Sequence, residues 1–153
     1  MTRVLICVFL LSSWSFVWSQ QPYRVVEFTP PEGEILEVGG LDFLPDGRLV
    51  CSTRRGQVWI VEGPEGDPKD MRFSLFAEGL QEGLGLEVVD GVIHVLQRAE
   101  LSRLHDDDGD GRCDRIETVA NDWGVSGNYH EFAFGLPRDA AGNLYMSLNV
   151  SFS

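Results

Sequence analysis

The chain has 153 residues, enough for one ordinary domain, and its 43% hydrophobic and 24% charged residues exclude a disordered tail or a low-complexity linker. Its 24 acidic residues against 12 Lys and Arg give a formal net charge of −12. A surface of that sign repels nucleic acid and anionic lipid, so no nucleic-acid partner is expected, and it suits a calcium-containing exterior.

Met1 to Ser19 reads as a secretory signal peptide. Arg3 makes a small positive n-region, Val4 to Val17 is an apolar run broken only by serines, and Val17-Trp18-Ser19 offers small residues at the −3 and −1 positions of a cleavage site. The run is short for a membrane span, which needs about twenty residues. Cleavage leaves a secreted or periplasmic chain that starts at Gln20 and carries 11 basic residues against 24 acidic ones, a net charge of −13. Cys7 leaves with the signal. Cys51 and Cys113 remain, their pairing open, and with no C-x-x-C a thiolate metal site is not expected.

Residues 20–38 form an N-terminal segment in which Tyr23 to Phe28 is a possible ring-closing strand. From Gly39 onward, runs of five or six residues alternate with turn residues, and no segment has the period of a stable helix. The first unit, about 39–79, reads Leu41 to Leu44, a Pro45-Asp46-Gly47 turn, Arg48 to Thr53, Gln57 to Val61, a loop from Glu62 to Asp70, and Arg72 to Ala77. The second, about 83–122, repeats the plan: Leu84 to Val89, an Asp90-Gly91 hairpin turn, Val92 to Gln97, Leu101 to His105 and Arg115 to Ala120. Gly40-Leu41 and Gly83-Leu84 lie 43 residues apart, and Gly47 and Gly91 lie 44 apart. A third unit, 130–153, has strands at Glu131 to Leu136 and Asn143 to Asn149 and then stops in mid-pattern.

Four antiparallel strands at a period of forty-odd residues predict the blades of a β-propeller. A β-sandwich is the competing architecture, and the internal period favours the propeller. Six blades at this period need about 260 residues or more. The expectation is therefore the N-terminal fragment, about two and a half blades, of a six-bladed type, with residues 39–153 as its partial propeller domain.

The second unit holds the strongest chemical motif. Counted from Asp106, the loop Asp106-Asp107-Asp108-Gly109-Asp110-Gly111-Arg112-Cys113-Asp114-Arg115-Ile116-Glu117 has acids at positions 1, 3, 5, 9 and 12 and glycine at position 6. That is the D-x-[DN]-x-[DN]-G-x5-E calcium pattern, and calcium takes six to eight hard oxygens in a flexible cage. Asp106, Asp108, Asp110, Asp114 and Glu117 are the expected side-chain ligands, with Arg112 offering its carbonyl. The bland reading, a solvated acidic loop, has to place five acids and a glycine in register by chance.

Two later runs carry a resemblance. Gly83-Leu84-Gly85-Leu86-Glu87, and His130-Glu131-Phe132-Ala133-Phe134-Gly135-Leu136-Pro137-Arg138-Asp139 followed by Gly142-Asn143-Leu144-Tyr145, resemble the quinoprotein glucose/sorbosone dehydrogenase propellers. They are most similar to the N-terminal propeller of large secreted bacterial proteins labelled membrane-bound dehydrogenases, where a like acidic loop precedes a segment such as Trp123 to His130. The likeness covers about Gly39 to Phe152. It implies a calcium-containing dehydrogenase that oxidises a sugar or alcohol, with His130 as general base facing the central channel and pyrroloquinoline quinone as hydride acceptor. It also implies an electron-accepting haem domain beyond this sequence. The family's glutamine is not cleanly matched, since Gln81 is one residue out of register. Its quinone-binding arginines and lysine come from later blades, so no cofactor-binding residue is assigned. The alternative is a non-catalytic propeller that binds glycans or partner proteins. His94 is read as a packed strand residue, His105 as orienting a carboxylate or facing solvent, and Trp59 as packing between blades. Trp123 and Tyr129 either stack on a sugar or quinone ring or plug the top of a blade.

Overall fold

The computed structural model describes Tyr23 and residues 25–149, and the signal-peptide expectation over 1–19 lies outside them. Among the described residues, no helix is long and apolar enough to cross a membrane. The described residues are all-β, and the one helical element among them is a 3-10 turn at Pro68–Asp70.

The first sheet orders its four antiparallel strands as β1 (Val38–Phe43), β2 (Leu49–Thr53), β3 (Val58–Glu62) and β4 (Arg72–Ala77). The second repeats this with β5 (Gly85–Val89), β6 (Val92–Leu96), β7 (Leu101–His105) and β8 (Arg115–Ala120). Each predicted strand in these two units is present within two or three residues of its expected ends. The turns explain why. Asp90 and Gly91 both take positive φ, 51° and 85°, which a two-residue hairpin of this hand requires. In the first unit the chain reverses through Pro45-Asp46-Gly47, closed by Leu44 N–H to the Arg48 carbonyl at 2.8 Å.

The two sheets pack face to face. Val50, Val58, Ile60 and Phe76 from the first meet Leu86, Val88, Ile93, Val95 and Leu104 from the second in one buried cluster. Burying each such side chain contributes about 1.5–3 kcal/mol, so this interface is the main store of stability. At one edge the first strands of the two sheets touch backbone to backbone. A Cβ on Gly40 would lie 2.6 Å from the Leu86 nitrogen. The contact recurs one unit later, where a Cβ on Gly85 would lie 2.5 Å from the Gly135 oxygen. Glycine is what lets successive units approach this closely. Asp42 reinforces the first junction by accepting the Val88 N–H at 2.6 Å.

The third unit differs from expectation. Among its described residues, only Ala133–Phe134 (β9) and Ser147–Leu148 (β10) pair, with a single further bridge between Arg138 and Leu144. Gly135 turns to φ 66° and Pro137 has no N–H to give a ladder, so β9 ends after Phe134. Ala133 and Leu136 still pack on Leu96 and Leu101 of the second sheet, so the three units stack in series. Tyr23 and Val25–Phe28, within the possible ring-closing strand, pair with no strand among the described residues.

Candidate functional site

The acidic loop joins β7 to β8, the last two strands of the second sheet. Its backbone N–H groups turn inward onto its own carboxylates, as short Asp side chains favour. Asp106 Oδ1 accepts from Gly109 N–H at 2.7 Å and Oδ2 from Gly111 N–H at 3.0 Å, while Asp114 Oδ2 accepts from Asp107 N–H at 2.8 Å. These bonds converge three carboxylates. One oxygen each from Asp106, Asp108 and Asp114 lies within 4.8 Å of the others. Oxygens around one calcium sit about 2.3–2.6 Å from it, hence up to about 5 Å from each other, so the donor type and spacing fit.

Asp110 and Glu117 are not members of this trio. Asp110 accepts the Arg112 N–H at 2.8 Å. Glu117 lies within β8, where Oε2 meets His105 Nε2 at 2.7 Å, Arg103 Nη1 at 3.4 Å and Arg115 Nη1 at 3.8 Å. The His105 hydrogen bond chiefly, with Arg103 and Arg115, holds the Glu117 carboxyl below its usual range. Strand pairing explains the difference: Glu117 is opposite Arg103 in the β7–β8 ladder, which orients its side chain onto the sheet. His105 therefore orients a carboxylate. The loop is anchored to the first sheet as well, through Cys113 N–H to the Phe76 carbonyl at 2.7 Å. Cys51 and Cys113 are both free thiols.

His94 is a packed strand residue, as its position predicts. Nδ1–H donates to the Val92 carbonyl at 3.0 Å and Nε2 accepts from Arg103 Nε at 3.2 Å, which makes the ring neutral. Burial lowers its pKa accordingly. Trp59 is buried, its Nε1–H donated to Gln57. Trp123 packs against the Leu96–Leu136 cluster and donates Nε1–H to the Arg98 carbonyl at 3.0 Å, whereas Tyr129 is exposed.

His130 lies in the turn that precedes β9, exposed, its ring 4.2 Å from that of Tyr129. Asn128 Oδ1 accepts the His130 backbone N–H at 3.0 Å and faces ring Nδ1 at 3.2 Å. An atom that accepts a backbone N–H is the amide oxygen, so Nδ1 must carry the ring hydrogen. Nε2 then presents its lone pair and has no partner among the described residues. The turn is closed by its own bonds. Glu131 accepts from Ser126 N–H at 2.6 Å and Ser126 Oγ–H at 2.8 Å, bonds that chiefly lower its pKa. Asn149 Nδ2 donates to the His130 carbonyl at 2.9 Å.

Sequence reasoning named His130 but missed Asn128 and Arg98. An Asn two residues before the His is a readable signal, because Asn side chains habitually accept a backbone N–H two residues on. Arg98 comes from a different turn and leaves no such mark.

Gln81 uses its backbone N–H on the Gln97 side chain and its carbonyl on Arg98 N–H. The cations around the His130 turn are likewise committed, Arg98 to loop carbonyls and Arg54 to Glu82 and the face of Phe132. The described residues therefore do not form a cradle for the carboxylates of pyrroloquinoline quinone.

Fold and site together define an all-β protein of serially stacked four-stranded antiparallel sheets, with an acidic loop between the last two strands of the second. The chain belongs to the family described as a domain of unknown function, DUF7133, whose model matches residues 31–151 and so spans all three units. Among curated proteins, none matches.

Proposed function

We propose that this chain is a calcium-holding, propeller-type domain of a secreted dehydrogenase similar to the quinoprotein glucose/sorbosone enzymes, and that His130 is its proton acceptor. The carrying observation is the state of that ring: Nδ1–H is given to Asn128 and Nε2 is left open at the surface. An imidazole near neutral pH accepts a proton at low cost when one nitrogen is fixed and the other faces a substrate hydroxyl. Oxidising a sugar or alcohol removes one proton and one hydride, and this chain supplies the proton half. The hydride acceptor implied by the resemblance is pyrroloquinoline quinone, whose holding groups belong elsewhere, as does any haem domain. Repeated glycine contacts at Gly40 and Gly85 support blades that stack around an axis, with the first strands innermost. The acidic loop, on the opposite side of the second sheet, holds calcium through Asp106, Asp108 and Asp114, and the ion serves as a structural tie.

The test is dye reduction by the reconstituted full-length protein, which includes the segments expected to hold the quinone, across a panel of sugars and alcohols. His130→Gln should cut turnover by about 10² to 10⁴, the usual loss for a general base. Turnover that survives the substitution removes His130 from the reaction.

A second reading, a non-catalytic propeller that binds glycans or partner proteins, is favoured by one observation: the committed state of Arg98 and Arg54. Absence of both activity and quinone binding selects it.

A further inference from the structure

We infer that Arg98 is the positioning residue of His130, acting through Asn128; this rests on the reading of His130 as proton acceptor. Arg98 lies just after β6, in a turn whose backbone is held on both sides: its N–H donates to the Gln81 carbonyl at 3.1 Å and its carbonyl accepts from Trp123 Nε1. From that fixed base the guanidinium reaches into the His130 turn. Nη2 donates to the Asn128 carbonyl at 2.5 Å and to the Ser126 carbonyl at 3.5 Å. Two backbone oxygens of one turn, two residues apart, are thus gripped by a single nitrogen.

The rest of the side chain shows where its bonding is directed. Arg98 Nε is buried and has no hydrogen-bond partner among the described residues. A buried donor left unmade is costly, so the group is held where it is by what Nη2 does. Asn128 then relays the constraint. Its carbonyl accepts both Arg98 and the Glu131 N–H at 3.2 Å, which uses its two lone pairs, and its own N–H goes to Ser126 Oγ at 3.1 Å. With the Asn128 backbone held, Oδ1 is placed against the His130 N–H and ring Nδ1. The chain of contacts runs from a charged fork on the second sheet to the tautomer of one imidazole. Arginine suits this because its planar fork is rigid, whereas lysine offers a single mobile donor.

A cavity of about 300 Å³ lies beside the clamp, lined by Arg98, Trp123, Glu131, Phe132 and Asn149 among others. Side-chain truncation at Arg98 would enlarge it and let the 124–130 turn relax towards it.

The experiment reads the His130 ring directly. Long-range proton–nitrogen correlation on the ¹⁵N-labelled full chain is recorded across a pH series, and the tautomer is read at the alkaline plateau, where the ring signals no longer move. The wild type should show the Nδ1–H tautomer. Arg98→Met, which keeps length and loses the donors, should give a mixture with Nε2–H, and Arg98→Lys a smaller admixture. In dye reduction Arg98→Met should lower kcat by on the order of tenfold or more, with KM changing less, because misorienting a base loses part of its 10² to 10⁴ contribution. A folded Arg98→Met chain with the wild-type tautomer overturns the inference, whatever its activity. Should that variant not fold, Arg98→Lys carries the test, and a tautomer as pure as wild type overturns it. A tautomer shift in a protein with no dehydrogenase activity upholds the clamp and discards only the dehydrogenase reading.

Discussion

Asp108→Asn should change sign with calcium. In the wild type three carboxylate oxygens lie within 4.8 Å of one another, from Asp106, Asp108 and Asp114. Without a cation each such pair repels by about 0.9 kcal/mol in bulk water, and salt with a screening length of about 8 Å removes part of that. The substitution deletes two of the three repulsions. It also keeps an oxygen to accept the Asp110 N–H, now bonded at 3.1 Å. In chelator the variant should therefore melt level with wild type or about one or two degrees above it. With a dissociation constant on the order of 10⁻⁴ M, usual for extracellular modules, about 10 mM calcium stabilises the wild type by about 2.7 kcal/mol. For a chain of this size that is roughly 5 to 11 °C in Tm. The variant, short of one charged ligand, should gain much less, so the two melting curves cross between conditions. Differential scanning calorimetry in chelator and in calcium measures all four. A wild type that melts identically in both, or a variant displaced by the same amount in both, refutes the calcium reading.

Two further outcomes follow from the fold. Gly85→Ala sets a Cβ 2.5 Å from the Gly135 oxygen, a backbone atom that cannot step aside, so thermal unfolding should show a loss of about 1–3 kcal/mol; Gly127→Ala, with open space around it, should stay within about 0.5 kcal/mol. Asp139 is held at a pKa of about 2, against an ordinary 3.8, chiefly by the Asn143 side chain and then by backbone and Tyr145 bonds. Its folded pKa is depressed, so its contribution is complete above about pH 4 and lost as pH falls through 2; Asp139→Asn should lower Tm at pH 6 and match wild type near pH 2. Equal gaps at both pH values would count against that turn's role.

The strands of the first two units were legible because each is bounded by turn chemistry that leaves little choice. Pro45-Asp46-Gly47 and Asp90-Gly91 fix where the chain reverses, and the apolar runs between them suit strands buried on both faces. In the third unit the described ladder is shorter than the apolar pattern suggests, because several of its apolar residues are not ladder positions. Gly135 and Pro137 break the ladder locally, and Phe134, Tyr145 and Leu148 remain exposed, with few partners to pair against. At the acidic loop, the spacing brings one oxygen each of Asp106, Asp108 and Asp114 within 4.8 Å of the others, since a tight loop with inward N–H groups is a local property. Glu117 escaped the pattern because it is a strand residue, and its ladder partner Arg103 competes for its carboxylate. Arg98 was invisible for the opposite reason: its role depends on two turns brought together by packing, roughly thirty residues apart in the chain.

The two chemical features occupy opposite edges of the stack, and this bears on how they work together. The acidic loop leads into β8, the last strand of the second sheet, and reaches back through Cys113 to Phe76 on β4, the last strand of the first. His130 leads into β9, which follows the first strands β1 and β5 in the series of glycine contacts. An ion in the loop would therefore tie two sheets at their outer strands while touching nothing in the His130 turn. On the proposed reading calcium acts on stability and His130 on chemistry. The link between them is the rigid second sheet, whose ladder runs from Glu117 through Arg103 and His94 to Glu87, and from there by a 3.3 Å ion pair to Arg138 in the third unit. Each side chain in that row is in contact range of its cross-strand neighbour, and such pairs contribute about 0.2–1 kcal/mol each. Division of labour of this kind lets the outer strands be tuned for endurance without disturbing the geometry of one imidazole.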